Sequence, residues 1–228
     1  MTVVRICLLL AAIAALQIHA SEPALAQHQQ GMELVAAAGR GDLARVKALL
    51  SAKAPVDAQD RAGQSALLVA VNGNHVAIAE ALIDAGASIN VQAANRDTPW
   101  LLAGAQGRTE IIAKMIPRGP DLSIRNRFGG NALIPACERA HVEAIRLLLA
   151  TRIDVNHVNN LGWTCLLEIV ILGQGNARHQ EATRLVLQAG ADPNLADKDG
   201  VTPLAHARTR GQSEVARLIE QAGGQVRR

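Results

Sequence analysis

A short block of residues recurs along the chain, and its period limits the folds that the chain can adopt. Each copy opens with a small polar residue, and most copies place leucine two residues later. The five copies begin at Ser65, Thr98, Asn131, Thr164 and Thr202. The intervals between them are 33, 33, 33 and 38 residues. A repeat of this length predicts a solenoid in which similar units stack on one another.

A second landmark keeps the same spacing, which makes chance an inadequate explanation for the period. It is a turn that passes through Gly86, Gly119, Arg152 and Gly190. The opening Ser or Thr can accept hydrogen bonds at a helix start, and glycine suits the reversal at a helix end. Each unit is therefore predicted to be a pair of short helices. The apolar face of each pair can be covered only by the next pair.

The composition agrees with thin, closely packed helices. Of the 228 residues 49% are hydrophobic but only 1% aromatic, so the interior must consist of Ala, Leu, Ile and Val. The net charge of +3 is spread along the chain without a run of Lys or Arg. Because bases are usually held by basic patches and aromatic stacking, we do not expect nucleic-acid binding.

Three motifs identify a resemblance. They are Thr202-Pro203-Leu204 at a helix opening, Arg146-Leu147-Leu148-Leu149 at a helix end and Gly190-Ala191-Asp192-Pro193-Asn194 in a turn. In these motifs the chain resembles the ankyrin-repeat family. With the signal-like N-terminal segment described in the next paragraph, it is similar to exported bacterial members of that family. The resemblance implies an all-α solenoid of helix-turn-helix units joined by hairpin-like turns. It also implies protein binding through the turn tips and the inner face of the first helices.

The N-terminal segment differs from the rest of the chain. Arg5 is followed by an uncharged apolar run over residues 6–16, which is shorter than the roughly 20 residues that a membrane-spanning helix needs. We interpret residues 1–26 as a signal peptide cleaved before Gln27; cleavage after Ala20 and an uncleaved anchor or core helix remain open. After cleavage we expect no stable membrane insertion.

The remaining chain divides into an expected linker and an ankyrin-repeat domain. The predicted bounds are linker 27–30, domain 31–228, N-terminal cap 31–60, repeats 61–93, 94–126, 127–159 and 160–197, and C-terminal cap 198–228. The fourth repeat is longer because of an insertion around Gly173 to Arg178, which we expect to lengthen the turn between its two helices. It is either a tolerated surface insertion or a contact loop for a partner.

No group of residues predicts catalysis. His75, His141 and His179 fall at the same repeat position, about 8 to 10 Å apart, too far to share a metal ion. Glu138 and Glu168 read as solvated helix residues. We therefore expect a structural role for these histidines, and no catalytic residue, cofactor or metal.

The two cysteines of the repeats lie in adjacent units but at different positions along their helices. Cys137 comes late in one first helix and Cys165 at the start of the next, an offset of about 7.5 Å along the axis. Since a disulfide needs Cα atoms within about 7 Å, buried free thiols are expected in preference to a bridge. An exported protein could still form the bridge, and this alternative stays open.

Aromatic side chains on the turn tips are the sharpest indication of a binding surface. Phe128 and Trp163 lie on consecutive tips, whereas Trp100 occupies a core position and is expected to be interior. The alternative is that both tip aromatics fold onto the adjacent turn. The predicted partner-binding residues are Arg61, Arg96, Arg125, Arg127, Phe128, Leu161 and Trp163.

These features predict a monomeric, non-catalytic scaffold that is exported to the periplasm and binds a protein of unknown identity. Two alternatives remain: a secreted effector that binds host proteins, and a periplasmic stress-protection factor with enzymatic or metal-dependent activity. Fold alone does not choose between them, because repeat arrays bind unrelated targets on one scaffold.

Overall fold

Stacked pairs of helices make up the part of the chain that the computed structural model describes, residues 24–226. The helices are α1 (24–39), α2 (Leu43–Ser51), α3 (Ala66–Asn72), α4 (Val76–Asp84), α5 (Pro99–Gln106), α6 (Thr109–Met115), α7 (Leu133–Glu138), α8 (Val142–Leu149), α9 (Cys165–Ile171), α10 (Ala177–Gln188), α11 (Pro203–Thr209) and α12 (Ser213–Gln221). Within these residues β-type pairing is limited to one bridge between Gln59 and Ser65. The all-helical solenoid is thus confirmed.

The repeated block begins the first helix of each unit, as predicted. Its hydroxyl or amide oxygen accepts a hydrogen bond from a backbone N–H in the first turn, which caps the helix. The capping pairs are Ser65 with Leu68 at 3.2 Å, Thr98 with Leu101 at 3.1 Å, Asn131 with Leu133 at 3.1 Å, Thr164 with Leu167 at 3.2 Å and Thr202 with Ala205 at 3.4 Å. A short polar residue every period therefore sets where each unit starts.

Two parallel layers of helices enclose the core. The first helices, α3, α5, α7, α9 and α11, contact one another in sequence, and the second helices form the other layer. Small aliphatic side chains fill the space between the layers, and Trp100, only 2% exposed, confirms the predicted interior position. Because each unit touches mainly its neighbours, the stability of the array depends on the interfaces between adjacent units.

Neighbouring first helices are staggered along their axes. A Cβ atom added to Gly104, late in α5, would lie 2.5 Å from the carbonyl oxygen of Ala132, which directly precedes α7. The residue before or at the start of one first helix thus packs on the end of the preceding one. This stagger brings late and early positions of consecutive units together.

The same stagger corrects the expectation of free thiols. Cys137, late in α7, and Cys165, the first residue of α9, form a disulfide with their Cα atoms 5.5 Å apart. The predicted offset of about 7.5 Å assumed helices aligned at equal height. Both cysteines are fully buried, so the bridge lies inside the interface between the third and fourth repeats.

The structure also corrects the expected linker. Residues 27–30 belong to α1, which continues without interruption past Gly31. Gly31 permits this because the helix passes close to Ala58: an added Cβ would lie 2.5 Å from the Cβ of Ala58. Of the predicted signal peptide, residues 1–23 lie outside the described residues, and residues 24–26 form an exposed part of α1.

The insertion in the fourth repeat lengthens a helix rather than only a turn. α10 has 12 residues, whereas α4 has 9 and α8 has 8. Asn176 caps it by accepting hydrogen bonds from the backbone N–H groups of Arg178 and His179, at 3.1 and 3.3 Å. The extra residues therefore add about one turn at the start of α10, with only a short bend before it.

The three histidines of the repeated position pack against glycines in the turns between helices. A Cβ atom added to Gly41 would lie 2.9 Å from the ring of His75. One added to Gly107 would lie 2.6 Å from the ring of His141, and one added to Gly173 would lie 2.3 Å from the ring of His179. Each ring fills a space that only glycine leaves open. Burial lowers the pKa of His141 and of His179, which favours their neutral, packed form.

A candidate partner-binding groove

A groove runs between the third and fourth repeats on the side where the turn tips face the first helices. It contains a cavity of about 170 Å³. Tip residues Asn126, Phe128, Gly130, Asn159 and Leu161 form one side of the cavity, and Ile134, Pro135, Glu138, Glu168 and Leu172 form the other. Residues of two repeats are thus required to build it.

Apolar side chains reach solvent around this cavity. Phe128 and Leu161 are each 52% exposed and Leu172 is 48% exposed. Single exposed apolar residues are ordinary, but three that converge on one hollow indicate an interaction surface. Leu172 directly precedes the insertion of the fourth repeat, so the groove lies next to it.

Two carboxylates, those of Glu138 and Glu168, line the apolar groove. Glu168 is only 5% exposed, contrary to the expectation of a solvated residue. Asn159 Nδ2 donates to its Oε1 at 2.8 Å. Burial, with the negative charge of Glu138 as a second cause, raises the pKa of Glu168 from 4.5 to about 7. Near neutral pH this side chain is therefore poised between its acid and its carboxylate form.

A neighbouring hollow contains the arginine of the same tip. The Arg127 guanidinium carbon lies 4.6 Å from the centroid of the Phe128 ring, and Nη1 lies 3.9 Å from Asp97 Oδ2. Burial raises the pKa of Asp97. Arg127 thus covers one face of Phe128 and leaves the other toward the cavity between the third and fourth repeats.

The predicted site residues divide into three groups. Phe128 and Leu161 line the groove, and Arg127 packs beside it. Trp163 is half-buried whereas Phe128 is exposed, so the alternative of local packing suits Trp163 better than Phe128. The guanidinium of Arg125 donates to the carbonyl of Ile124 at 3.1 Å, within its own turn.

The other two predicted residues, Arg61 and Arg96, are exposed on earlier tips and do not line the groove. Apart from Phe128 and Leu161, sequence reasoning missed the residues that line the groove, among them Glu138, Glu168 and Leu172. A signal for one of them was present: Glu168 occupies the repeat position at which the two preceding units carry Leu102 and Pro135. A carboxylate at a position that is apolar in the preceding units is uncommon enough to mark a site.

Replacing Arg96 with glycine is expected to raise the free energy of unfolding by about 1 kcal/mol. Arg96 has a left-handed backbone (φ 67°), a conformation that costs a residue with a Cβ atom about this much. Other tips carry glycine at this place, namely Gly63, Gly129, Gly162 and Gly200. Urea denaturation of Arg96→Gly would measure the gain. Arg96→Ala is the control, since alanine keeps the Cβ; equal stability of the two variants would contradict the explanation.

Between residues 24 and 226, no group of three or more His, Cys, Asp or Glu side chains is arranged to hold a metal ion. None of the helices described above is long and apolar enough to span a membrane.

Known proteins share both the sequence pattern and the fold. A family model described as "Ankyrin repeats (3 copies)" matches residues 12–93, 33–126 and 100–195. The putative ankyrin repeat protein YahD of Escherichia coli (strain K12) is 41% identical over 188 residues, which cover 82% of this chain and 94% of YahD.

Two solved structures are similar over most of their length. An ankyrin repeat domain (ABAYE2397) from Acinetobacter baumannii AYE is 50% identical with a TM-score of 0.81, covering 85% of this chain and 98% of that domain. The ankyrin repeat protein EF0377 is 42% identical with a TM-score of 0.80, covering 82% of this chain and 96% of that protein. The chain belongs to the ankyrin-repeat family.

Proposed function

We propose that the protein is a non-catalytic scaffold that is exported to the periplasm and binds a protein partner in the groove between its third and fourth repeats. Ankyrin-repeat domains generally act as interaction modules without catalysis. The observation that carries the proposal is the convergence of Phe128, Leu161 and Leu172, three exposed apolar side chains, on one cavity. Interfaces concentrate their binding energy in such apolar and aromatic anchors.

Export is supported by the disulfide as well as by the sequence of residues 1–26. Disulfides persist in oxidising compartments such as the periplasm and are rare in the cytosol. A Cys137–Cys165 bridge that is fully buried between two repeats is in keeping with a protein that matures in such a compartment. Fractionation of the native cell tests this: the protein is expected in the periplasmic fraction, and recovery from the cytosol with reduced cysteines would contradict export.

The binding face can be tested with groove variants. Removing two anchors by Phe128→Ala/Leu161→Ala is expected to lower the recovery of partners from a periplasmic extract by at least about tenfold, since single anchors often contribute more than 1 kcal/mol. Val158→Ala is a matched control, because Val158 is also exposed on a tip, at 48%, but does not line the cavity. Equal recovery by the double variant and the native protein would overturn the proposed face.

A further inference from the structure

The groove combines exposed apolar side chains with carboxylates, and this combination narrows the chemistry of what it can hold. Phe128, Leu161 and Leu172 are the exposed apolar residues of its lining, and Glu138 and Glu168 are the carboxylates. An apolar occupant alone would cover both groups without offering a counter-charge, which is unfavourable whenever they are ionised. An occupant with an apolar length and a positive end matches both features of the groove.

Glu168 is held in the groove without a cation of its own. It is more than nine-tenths buried, and one of its two oxygens is satisfied by Asn159. Over residues 24–226, neither Glu168 nor Glu138 forms an ion pair, and Glu168 Oε2 accepts no hydrogen bond. Because Oε2 is absent from the buried atoms that lack a partner, it is open to the cavity, where a ligand could supply the donor that the protein does not.

The nearby arginines are engaged elsewhere. Arg127 pairs with Asp97 and lies over Phe128, and Arg139 Nη1 donates to the carbonyl of Ala105 at 3.3 Å, toward the preceding repeat. Both basic side chains thus have other partners, and neither lines the cavity. The two carboxylates of the lining are left without a protein cation, which favours a cation supplied by the occupant.

We propose that the groove receives a lysine or arginine side chain of the protein partner. Its methylene stem lies along Phe128, Leu161 and Leu172, and its cationic end reaches the carboxylates of Glu138 and Glu168. Long basic side chains bury an apolar stem while the charged head keeps polar partners, which is the pattern that this groove presents. The charge-assisted hydrogen bonds so formed are stronger than neutral ones. The inference rests on the proposed function, because it specifies how a partner occupies the same face.

A pair of small probes isolates the role of the charge. Nα-acetyl-lysine methylamide and Nα-acetyl-norleucine methylamide share the four-carbon stem, but only the first carries an ammonium group. Titrated into ¹⁵N-labelled, disulfide-bonded protein, the lysine probe is expected to cause saturable shifts at Phe128, Leu161 and Glu168. The norleucine probe is expected to bind at least about tenfold more weakly, as the loss of a charge-assisted hydrogen bond implies.

Variants identify the carboxylates as the cause. Glu138→Gln/Glu168→Gln keeps the shape of the groove but removes the charge, so both probes should then bind it equally. Glu80→Gln, which alters an exposed carboxylate on α4, should leave the preference for lysine intact. Thermal unfolding of each variant checks that it remains folded.

The outcomes separate this inference from the proposed function. Equal binding of the two probes by the native protein, or no shift in the groove with the lysine probe, would overturn the inference. The proposed function would then still be judged by partner capture with Phe128→Ala/Leu161→Ala. A preference for lysine that survives removal of both carboxylates would also overturn it.

Discussion

Reduction of the Cys137–Cys165 disulfide is expected to lower the free energy of unfolding by about 3.5 kcal/mol. The bridge spans 28 residues, and closing a loop of that length removes chain entropy worth about this much from the unfolded state. Both cysteines are fully buried, so reduction also places two thiols inside the interface between α7 and α9. The loss is large compared with the usual stability of a domain.

Urea denaturation with and without dithiothreitol measures this contribution. The oxidised protein should unfold at higher urea than the reduced protein. Cys137→Ala/Cys165→Ala serves as the control, because it should unfold near the reduced protein whether or not the reductant is present. If the native protein unfolds at the same urea concentration in both conditions, the bridge does not form or does not stabilise the fold.

The position of the bridge also predicts where the array opens first once it is reduced. Contacts in a solenoid are confined to neighbouring units, so weakening one interface does not spread evenly through the chain. Hydrogen exchange should therefore accelerate most in α7 and α9, with a smaller change in α3 and α12. A uniform increase along the chain would indicate that the array unfolds as one unit.

The sequence predicted the parts of this structure that depend on position along the chain. Its period located the five helix openings, and the hydroxyls of Ser65, Thr98, Thr164 and Thr202 cap those helices as expected. Such features are local, because a cap needs only the backbone of its own first turn. The family motifs extended this local pattern to the all-helical solenoid.

Features that depend on the height of one unit relative to the next were not predictable in this way. The stagger of the first helices decides whether Cys137 reaches Cys165, and periodicity within the chain does not measure that stagger. Gly104 and Ala132 lie 33 residues before Cys137 and Cys165, at the same repeat positions. In the structure they make the same close contact between consecutive first helices. Exposure on the tips was equally hidden, since Phe128 and Trp163 hold neighbouring tips but only Phe128 projects into solvent.

Replacing Glu168 with glutamine is expected to stabilise the protein at pH 8 by about 2 kcal/mol and to leave its stability at pH 4 nearly unchanged. In the folded protein the pKa of Glu168 is about 7, above the ordinary 4.5, because burial and then Glu138 disfavour the charge. A shift of this size corresponds to about 3 kcal/mol, which solvent at the open side of the groove reduces.

The direction of the pH dependence follows from proton binding. Between pH 4.5 and about 7 the folded protein holds a proton on Glu168 that the unfolded chain releases, so stability falls as the pH rises through this window. Below the window both states are protonated, and above it the full penalty is present. Glutamine never ionises, and its carbonyl can still accept the hydrogen bond that Asn159 donates to Glu168.

Glu138 on α7 also acts on Glu168, so a difference between two proteins is needed. Subtracting the urea-derived stability of the native protein from that of Glu168→Gln at each pH cancels the groups that both proteins share. The difference should rise between pH 4.5 and 7 and then level off; a difference that stays constant over this range would contradict the pH dependence.

The same substitution links stability to binding. If the groove receives a basic side chain, Glu168→Gln should unfold at higher urea above pH 7 and at the same time bind the lysine probe more weakly than the native protein does. Charges that are retained at the expense of stability are typical of functional sites, where the missing partner supplies the compensation. A variant that gained no stability at pH 8 would show that solvent already compensates the Glu168 charge in the free protein, and the case for a cationic partner would lose its physical basis.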